Sequence, residues 1–438
     1  MQPHRGASPD NILCQIPPFV TFILKRLKKA GHQAFVVGGA LRNASLKRAI
    51  TDWDVATSAS PALIRTLFQD VRLFALKHKT LTLVDSGKHF EVTTFKGDGS
   101  CLRDDLAHRD FTINAMAFDS DRNQVLDPFC GQTDIRKKLV RAVGNPESRF
   151  YEDPLRLLRA VRLATELGFR IENRTLQTIR HMSQLLPKVA TERIREEFMK
   201  LLLSPKPSIG FNLMRKTRVL EQFLPELLEG YRKRQHCTIH EHIMETTDRV
   251  EPTPVLRLTA IFHHIAKPGA GERVKGEWYF VGHEAASAEI AAEILERLRF
   301  SHHMIARVTN LIRHHMIAYE PEWSDGEVRR FIRRVGLEDI VHLIGFRRAD
   351  VSSKEDHTHQ LELLRELEMR IKDQIGGSFP LEPRDLAIDG RRVMEILGIM
   401  PGAAVGRVLT DLLEKVIDHP ELNTEEHLIA MVEKMKQT

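Results

Sequence analysis

The sequence predicts an α+β protein: an N-terminal domain built on a mixed or antiparallel sheet with helices, followed by an all-α remainder. Up to about residue 140, short apolar runs alternate with turn residues, as is typical of strands. From Glu152 to the C-terminus, apolar residues recur at three- and four-residue spacing, for example at Leu155, Leu158 and Val161. That spacing is the period of an amphipathic helix, so the fold class changes near residue 145.

The first predicted strand is the apolar run Ala34 to Val37, which Gly38 and Gly39 end with a turn. Residues 40–47 then show a helical pattern. A strand, a glycine turn and a helix start leave backbone N–H groups available for phosphate, and Arg42, one turn into the helix, supplies positive charge. Most Gly-Gly pairs after a strand are simple turns, so this pattern needs support from its neighbours.

That support comes from Asp52 and Asp54, which stand two positions apart in a second predicted strand. The spacing places both carboxylates on one face of the sheet, as a pair of hard oxygen ligands for Mg²⁺ requires. An Asp-x-Asp by itself is more often solvated than bound to metal. Following the glycine turn so closely, it predicts metal-dependent phosphoryl or nucleotidyl transfer.

The rest of the N-terminal domain is predicted to contain one helix and two hairpins. Pro61 to Phe68 has the pattern of a short helix. The runs 81–84 and 90–95 flank one turn, and the runs 115–118 and 125–126 flank another.

The composition indicates a soluble globular chain. Its 438 residues are 42% hydrophobic and 28% charged, which argues against a disordered or membrane-embedded protein. No apolar run approaches the roughly 18 residues of a membrane span. The first ten residues lack a signal-peptide pattern, so we expect a cytoplasmic protein with no membrane partner. The four cysteines show no Cys-x-x-Cys spacing and are expected to be reduced thiols.

The net charge of +6 is a mild basic bias that is compatible with a polyanionic partner. Basic residues cluster at 25–29, 232–234, 329–334 and 347–348. For each cluster, a solvated helix face and an RNA contact are both open interpretations.

Proline- and glycine-containing breaks divide the chain into a head and three helical segments. The predicted domains are the head (1–144), a helical neck (145–225), a helical body (226–375) and a C-terminal tail (376–438).

Arg109 and Asp110 form the next charged pair along the chain. Beside a phosphate site they could hold a ribose, with Arg109 donating and Asp110 accepting from hydroxyls. A structural ion pair at a helix start is the alternative.

A second group of charged residues begins at Asp153. On a helix, Asp153 and Arg156 would be neighbours, and Arg159 and Arg162 would continue the row. An acceptor beside a forked donor can recognise the edge of a base, and further arginines can contact a triphosphate. The alternative is a salt-bridge ladder on the helix surface.

Six motifs occur in order across about residues 34–200. They are Val37-Gly-Gly-Ala-Leu-Arg42, Asp52-Trp-Asp54, Arg109-Asp110-Phe-Thr-Ile-Asn-Ala115, Asp127-Pro-Phe-x-Gly131, Glu152-Asp153-Pro-Leu-Arg156 and Glu192-Arg193-Ile194. Together they resemble the class II tRNA nucleotidyltransferase and poly(A) polymerase family, whose members build or repair the 3′ CCA end of tRNA.

The resemblance implies a role for each candidate site residue. These roles are catalytic metal binding by Asp52 and Asp54, nucleotide binding by Gly38, Gly39 and Arg42, ribose selection by Arg109 and Asp110, base recognition by Asp153 and Arg156, and phosphate contact by Arg159 and Arg162. Glu91 is either a third carboxylate near the metals or a structural residue. The implied cofactor is Mg²⁺.

Three departures from the family pattern bear on specificity. Family members usually have Asp where Asn43 stands and Arg where His108 stands. Members that add the whole CCA carry a distinctly longer loop in place of the connector Lys96–Ala107. The short connector resembles the CC-adding branch, so we expect addition of two CMP residues from CTP. Complete CCA addition, A-addition from ATP and poly(A) synthesis are the alternatives.

In the second half, His242, His263-His264, Asp350 and residues 282–284 resemble an HD-type metal phosphohydrolase domain. That motif normally has Asp where His264 stands, and the missing carboxylate is a bridging metal ligand. We therefore interpret the body as a degenerate helical scaffold, and an active HD phosphohydrolase is the alternative from a different class. Further histidines are interpreted as helix-surface residues, core residues or ligands: His302, His303, His314 and His315.

The resemblance also implies tRNA as the macromolecular partner, bound at its acceptor end and elbow. Residues 381–436 resemble the tRNA-contacting C-terminal domain of the family. A non-catalytic tRNA-binding protein is a third interpretation, which the intact Asp52/Asp54 and Asp153/Arg156 pairs disfavour.

Overall fold

The computed structural model describes residues 12, 14–75, 80–96, 101–229, 237–270, 272–274, 277–353, 357–377 and 379–436. The chain divides into two compact units, residues 1–228 and 229–438. The predicted basic cluster at 232–234 and residues 97–100 of the predicted connector lie outside the described residues. Among the described helices, none combines the length and the apolar character that crossing a membrane would require.

A seven-stranded mixed sheet forms the centre of the first unit, in the order β3-β4-β5-β2-β1-β6-β7. All neighbouring strands in it are antiparallel except β2 and β5. Two further pairs, β8 with β9 and β10 with β11, lie outside this sheet. The strands are β1 (Ala34–Val37), β2 (Asp54–Thr57), β3 (Arg72–Ala75), β4 (Thr80–Asp85), β5 (Lys88–Thr94), β6 (Ala117–Asp119), β7 (Gln124–Leu126), β8 (Leu139–Val140), β9 (Arg170–Ile171), β10 (Glu272–Val274) and β11 (Glu277–Tyr279).

The predicted first strand is confirmed residue for residue, and all four of its side chains are buried. The two predicted hairpins are the pairs β4–β5 and β6–β7. The second strand begins at Asp54, so the prediction that Asp52 lies within it is wrong. The pairing of β1 with β2 ends at Val37 and Asp54. Because the chain turns at Gly38, residues 52–53 have no residue of β1 opposite them.

In the first unit, helices alternate with the strands up to β9, and the described residues after β9 form helices and turns. They are α1 (Pro18–Lys29), α2 (Gly39–Ser45), α3 (Pro61–Leu67), α4 (Leu102–Ala107), α5 (Gly131–Arg136), α6 (Pro146–Glu152), α7 (Leu155–Leu167), α8 (Asn173–Met182), α9 (Thr191–Leu202) and α10 (Pro207–Lys216). Short 3₁₀ turns complete this unit at Thr112–Asn114, Ser183–Lys188, Leu220–Gln222 and Pro225–Leu228.

Asp153 and Arg156 do not share a helix, contrary to the prediction from spacing. Asp153 is the extended residue between α6 and α7, with φ −148° and ψ 97°. Pro154 follows it, and a proline disfavours the helical conformation of the residue before it. Arg156 lies in the first turn of α7.

The second unit is helical, except for the hairpin β10–β11, which the sequence did not predict. Its helices are α11 (Cys237–Arg249), α12 (Pro254–Phe262), α13 (Lys267–Ala270), α14 (His283–Arg297), α15 (His302–His314), α16 (Asp325–Val335), α17 (Leu337–Ser352), α18 (Thr358–Gly376), α19 (Gly390–Leu397), α20 (Ala403–Asp418) and α21 (Glu425–Lys436). Two 3₁₀ turns, Pro383–Asp385 and Pro420–Leu422, belong to the same unit.

The C-terminal helices α19, α20 and α21 enclose a hydrophobic core of their own, whose centre includes Val393, Leu412 and Leu428. Helix α16 packs against α20 through ion pairs. Arg330 contacts Glu414 at 3.0 Å, and Arg333 contacts the same carboxylate at 2.7 Å. Part of the basic cluster at 329–334 therefore pairs with acidic groups of the protein.

Candidate active site

A cavity of about 800 Å³ opens in the first unit beside the sheet. Strands β1, β2, β4 and β5 supply one part of its wall, and residues of α6, α7 and α9, together with residues 108–110, supply another. Its lining is dominated by charged side chains. The lining residues are Val37, Asp54, Thr80, Glu91, Thr93, Lys96, His108, Arg109, Asp110, Glu152, Asp153, Arg156, Arg159 and Arg193.

Carboxylates gather at the sheet end of this cavity. The parallel pairing of β2 with β5 places Glu91 directly opposite Asp54, and both residues line the cavity. Burial raises the pKa of Asp54 to about 6, and the charges of Glu91 and Asp52 add to the increase while Arg109 opposes it. Asp52 is exposed and accepts a hydrogen bond from the Thr51 hydroxyl at 3.1 Å. Such a group of carboxylates repels itself unless a cation is present.

Gly38 sits between the carboxylates and a neighbouring arginine. Its φ of +79° is disfavoured for other residues, and a Cβ there would lie 3.1 Å from Arg109 Nη1 and 3.3 Å from Asp54 Oδ2. The Gly38 N–H donates to the Met116 carbonyl at 3.4 Å. Free N–H groups for phosphate therefore have to come from the first turn of α2, which Gly39 begins.

Arg42 is buried behind the wall and lies outside the cavity lining. Its Nη1 donates to Asn114 Oδ1 at 2.6 Å, and its Nε and Nη2 donate to Asn43 Oδ1 at 3.2 and 3.1 Å. Burial lowers the pKa of this guanidinium. Asn43 is thus a neutral acceptor for Arg42, in a contact that an aspartate at this position could also make.

Arg109 and Asp110 both line the cavity, but each is held by a different partner. Arg109 donates to the buried carboxylate of Asp105 through Nε at 3.2 Å and Nη2 at 3.1 Å. Asp110 accepts from Asn114 at 3.0 Å and from Arg159 at 3.4 Å. Burial raises the pKa of Asp110, but these donors outweigh burial and hold it below its usual value.

Asp153 and Arg156 also line the cavity, but they are not paired with each other. Arg193 binds Asp153 through two parallel contacts, at 3.3 and 2.9 Å. Arg156 donates through Nη1 to Glu152 at 3.2 Å and through Nη2 to the His108 carbonyl at 2.7 Å. Both predicted base-reading side chains therefore line one cavity, and each is held by its own partner.

Arg159 and Arg162 diverge, although the sequence places them in one row. Both contact the buried carboxylate of Glu197, at 3.2 and 2.5 Å. Arg159 also lines the cavity, whereas Arg162 lies outside the lining and pairs with Glu166 at 2.6 Å. The implied phosphate role of Arg162 has no support in this geometry.

The sequence did not single out three residues that hold the site together. Arg193 was noted only as part of a motif, and Asp105 and Glu197 not at all. A buried charge normally needs a partner, but the partner of Asp105, Glu197 or Asp153 is known only once the helices are packed.

A second group of titratable residues lies in the second unit, around the predicted HD-like positions. His242 Nε2 lies 2.8 Å from Asp350 Oδ1, and His263 Nε2 lies 3.4 Å from the same atom. His264, His283 and His315 are buried beside them. By contrast, the structure leaves other histidines at the surface of this unit: His302 and His303.

Three family models match this chain. They describe a poly A polymerase head domain (34–141), a probable RNA- and SrmB-binding site of polymerase A (168–230) and a tRNA nucleotidyltransferase domain 2 (274–432). A CCA-adding enzyme of Anoxybacillus flavithermus is 33% identical over 291 residues, which cover 63% of this chain and 70% of that protein. The chain belongs to the family of CCA-adding enzymes, the tRNA nucleotidyltransferases.

Other CCA-adding enzymes align over different lengths. The one from Pediococcus pentosaceus is 40% identical over 213 residues, so that the alignment spans 45% of this chain and about half, 54%, of that protein. The one from Enterococcus faecalis is 27% identical over 94% of this chain and 95% of its own length. Identity is thus higher where the alignment covers only part of the chain.

Solved CCA-adding enzymes share the fold. The crystal structure of the Bacillus stearothermophilus CCA-adding enzyme in complex with CTP has a TM-score of 0.74 at 26% identity, covering 96% of this chain and 98% of that one. The Thermotoga maritima CCA-adding enzyme complexed with tRNA has a TM-score of 0.57 at 20% identity. The second comparison shows the fold alone. The predicted fold class, a mixed-sheet head followed by a mainly helical chain, is confirmed.

Proposed function

We propose that this tRNA nucleotidyltransferase adds CMP residues to the 3′ end of tRNA from CTP, without a nucleic-acid template, and stops after two cytidines. The observation that carries the proposal is one cavity lined both by carboxylates, the proposed metal ligands, and by the proposed base-reading pair. Asp54 and Glu91 belong to the part of its lining that the sheet supplies, and Asp153 and Arg156 to the part around α6 and α7. A nucleoside triphosphate bound here would present its phosphates to the first pair and its base to the second.

The carboxylate end suits Mg²⁺. Asp54 and Glu91 face each other across neighbouring strands, and Asp52 adds a third carboxylate close enough to raise the pKa of Asp54. These are hard oxygen ligands whose repulsion a divalent cation would relieve. When bound, the metal ions would activate the 3′-hydroxyl of the tRNA and neutralise charge on the leaving pyrophosphate.

The protein's own groups would hold the nucleotide in place. Arg109 and Asp110 line the same cavity and would hold the ribose, with Arg109 donating and Asp110 accepting. Arg159 faces the same cavity and carries positive charge toward it. Arg42 would contribute less directly, because it lies outside the cavity lining and three of its five N–H groups donate to Asn43 and Asn114.

Base choice would follow from the polarity of Asp153 and Arg156. Cytosine and adenine each present an exocyclic amine beside a ring-nitrogen acceptor, so one carboxylate and one guanidinium can pair with either base. Uracil and guanine present the opposite polarity and would leave groups unpaired, at roughly 1–3 kcal/mol each. Arg193 fixes the orientation of the Asp153 carboxylate through two contacts.

The limit of two cytidines is supported by the connector between Phe95 and His108. Its described part is held against the site: Asp105 accepts from the Lys96 backbone N–H at 3.1 Å and also binds Arg109. Leu106 is buried in the same core cluster as Phe95. With Lys96, Asp105 and Leu106 held in this way, the twelve-residue connector offers little chain length for repositioning a base-reading group for ATP.

Product length on defined tRNAs tests the proposal. Purified protein with Mg²⁺ would receive three labelled tRNAs, ending at the discriminator base, at C and at CC, each with CTP, ATP or both. We expect two cytidines on the first, one on the second and no extension of the third. Loss of all extension in Asp54→Asn, but not in the exposed control Asp85→Asn, would assign the activity to this cavity.

Complete CCA addition is the second candidate, because the relatives found are named CCA-adding enzymes. In the same experiment it predicts a terminal adenosine on the tRNA ending at CC. That product would overturn the limit of two cytidines and leave nucleotidyl transfer intact.

A further inference from the structure

Three buried histidines of the second unit converge on one point. His264 follows α12, His283 begins α14 and His315 follows α15. Their side chains are 3%, 4% and 0% exposed, and one ligand nitrogen from each lies within 4.8 Å of the other two. Three polar rings in an apolar helix bundle require a reason, since burial of polar groups without partners is costly.

Backbone contacts fix the direction in which two of these rings present their lone pairs. His283 Nδ1 lies 2.7 Å from the Phe280 carbonyl, and His315 Nδ1 lies 2.7 Å from the Ile312 carbonyl. A carbonyl only accepts, so each Nδ1 carries the proton and each Nε2 presents a lone pair. This is the arrangement by which proteins orient histidines toward a metal.

Hydrogen bonding among the rings does not satisfy all three. His264 Nε2 lies 3.4 Å from His315 Nε2 and could donate to it. His283 Nε2 is buried and has no hydrogen-bond partner within the described part of the chain. Leaving a buried acceptor unsatisfied destabilises the folded protein. One cation would accept all three lone pairs.

The spacing fits a small divalent ion. Zinc binds imidazole nitrogen at about 2.0–2.1 Å, so two ligands of a tetrahedral site lie about 3.3 Å apart. The observed separation between His264 Nε2 and His315 Nε2 is 3.4 Å. The three ring centroids form a nearly regular triangle with sides of 5.2, 5.2 and 5.4 Å.

The neighbouring group around Asp350 is already neutralised by protein side chains. Arg347 pairs with one of its carboxylate oxygens, and His242 Nε2 lies 2.8 Å from the other. The Ser353 hydroxyl lies 2.6 Å from Nδ1 of His242 and holds that ring in place. Among the described residues, the carboxylate within ion-pair distance of the three-histidine group is that of Glu284, 3.5 Å from Nδ1 of His283 and therefore on the protonated nitrogen of that ring.

We propose that His264, His283 and His315 form a binding site for a divalent transition-metal ion. Three neutral imidazoles without a carboxylate select ions of the zinc, nickel and iron(II) class over Mg²⁺. The histidine in place of the HD aspartate therefore changes the metal preference, where the sequence alone suggests a degenerate scaffold. This proposal is independent of nucleotidyl transfer in the first unit.

Metal analysis of the full-length protein tests the site. Protein loaded with Zn²⁺ or Co²⁺ would be dialysed against excess Mg²⁺, which competes for carboxylate sites but not for imidazoles. We expect the wild type and the exposed control His303→Asn to retain one transition-metal ion per chain, and His315→Asn to lose it. The Co²⁺ protein should show visible absorption bands typical of nitrogen ligands.

A second histidine variant tests whether unfolding, rather than loss of a ligand, causes the loss of metal. His283→Gln, checked for its helical content by circular dichroism, should also lose the metal, and chelation should lower the Tm of the wild type only. Equal metal content in the wild type and in both folded histidine variants would overturn the proposal. Loss of the Co²⁺ bands in Asp350→Asn but not in His283→Gln would also overturn it and assign the metal to the group around Asp350.

Discussion

Asp54 carries a charge that the fold disfavours and that the proposed reaction needs. Its pKa of about 6 in the folded protein lies above the ordinary value of 3.8, through burial first and then the charges of Glu91 and Asp52. When the folded pKa is raised, the folded state binds more protons than the unfolded chain between these two pH values. Stability is therefore lost as the pH rises from 3.8 to 6 and stays lost above that, by about 3 kcal/mol.

We therefore predict that Asp54→Asn stabilises the metal-free protein while abolishing activity. Thermal denaturation near pH 8 without divalent cations should give a higher Tm for Asp54→Asn than for the wild type, and the difference should shrink as the pH falls toward about 5. Mg²⁺ should raise the Tm of the wild type more than that of the variant. Asp85→Asn, at an exposed turn, should behave as the wild type does. A lower Tm of Asp54→Asn at every pH would contradict the account.

At this scale the sequence predicted which residues face the cavity better than it predicted their partners. Six of the eleven predicted site residues line it: Asp54, Arg109, Asp110, Asp153, Arg156 and Arg159. The other five lie outside the lining: Gly38, Gly39, Arg42, Asp52 and Arg162. Which charge pairs with which depends on distances set by helix packing, and the motif spacing carries no information on these.

At the scale of secondary structure, the turn after β1 holds the site together. Gly38 has φ +79°, and its missing Cβ leaves room for Arg109 and Asp54 on opposite sides. Gly144 offers a matched comparison, because it has φ +64° and no atom within 4 Å of the position that a Cβ would occupy. A side chain at either glycine would strain the backbone, and only at Gly38 would it also crowd neighbouring atoms.

We predict that Gly38→Ala and Gly144→Ala each lower the free energy of unfolding by about 1 kcal/mol or more, since alanine is strained at positive φ. Only Gly38→Ala should also reduce kcat for CMP incorporation strongly, because it displaces Arg109 and Asp54. Urea denaturation and initial rates measure the two effects separately. Equal losses of activity in both variants would indicate a general folding defect instead.

Local patterns were enough for the individual strands but not for their order. The limits of β1 and the two hairpins follow from apolar runs and turn residues in the sequence. The parallel pairing of β2 with β5, which brings Glu91 opposite Asp54, joins segments more than thirty residues apart and has no local signature. At α6–α7, the conformational effect of Pro154 outweighed the helical spacing that linked Asp153 to Arg156.

At the scale of the whole molecule, pairing within the protein changes how the basic clusters are interpreted. Arg330 and Arg333 bind Glu414, and Arg330 also binds Asp418 at 2.7 Å. Charge that is already neutralised releases few counterions when RNA binds. The fold class and the helical second unit were predicted correctly, but the hairpin β10–β11 and these ion pairs required the structure.

We predict that Arg333→Gln leaves the salt dependence of tRNA binding unchanged, since its guanidinium contacts Glu414 at 2.7 Å. The plot of log Kd against log salt concentration should keep the slope of the wild type. A slope reduced by about one would show that Arg333 contacts a phosphate. Stability should fall by less than about 1 kcal/mol, because the pair is partly exposed.

The central claim is that one cavity joins catalytic carboxylates to a protein-based reader of the incoming base, and nucleotide choice by Asp153→Asn tests it most directly. An amide can donate where the carboxylate only accepts, so it tolerates the carbonyl of uracil. We predict that the ratio of kcat/KM for CTP to that for UTP falls roughly ten-fold or more, as expected for one altered hydrogen bond of 1–3 kcal/mol. The control Asp121→Asn, which also breaks a surface ion pair, should keep the wild-type ratio. An unchanged ratio in an active Asp153→Asn enzyme would contradict the account.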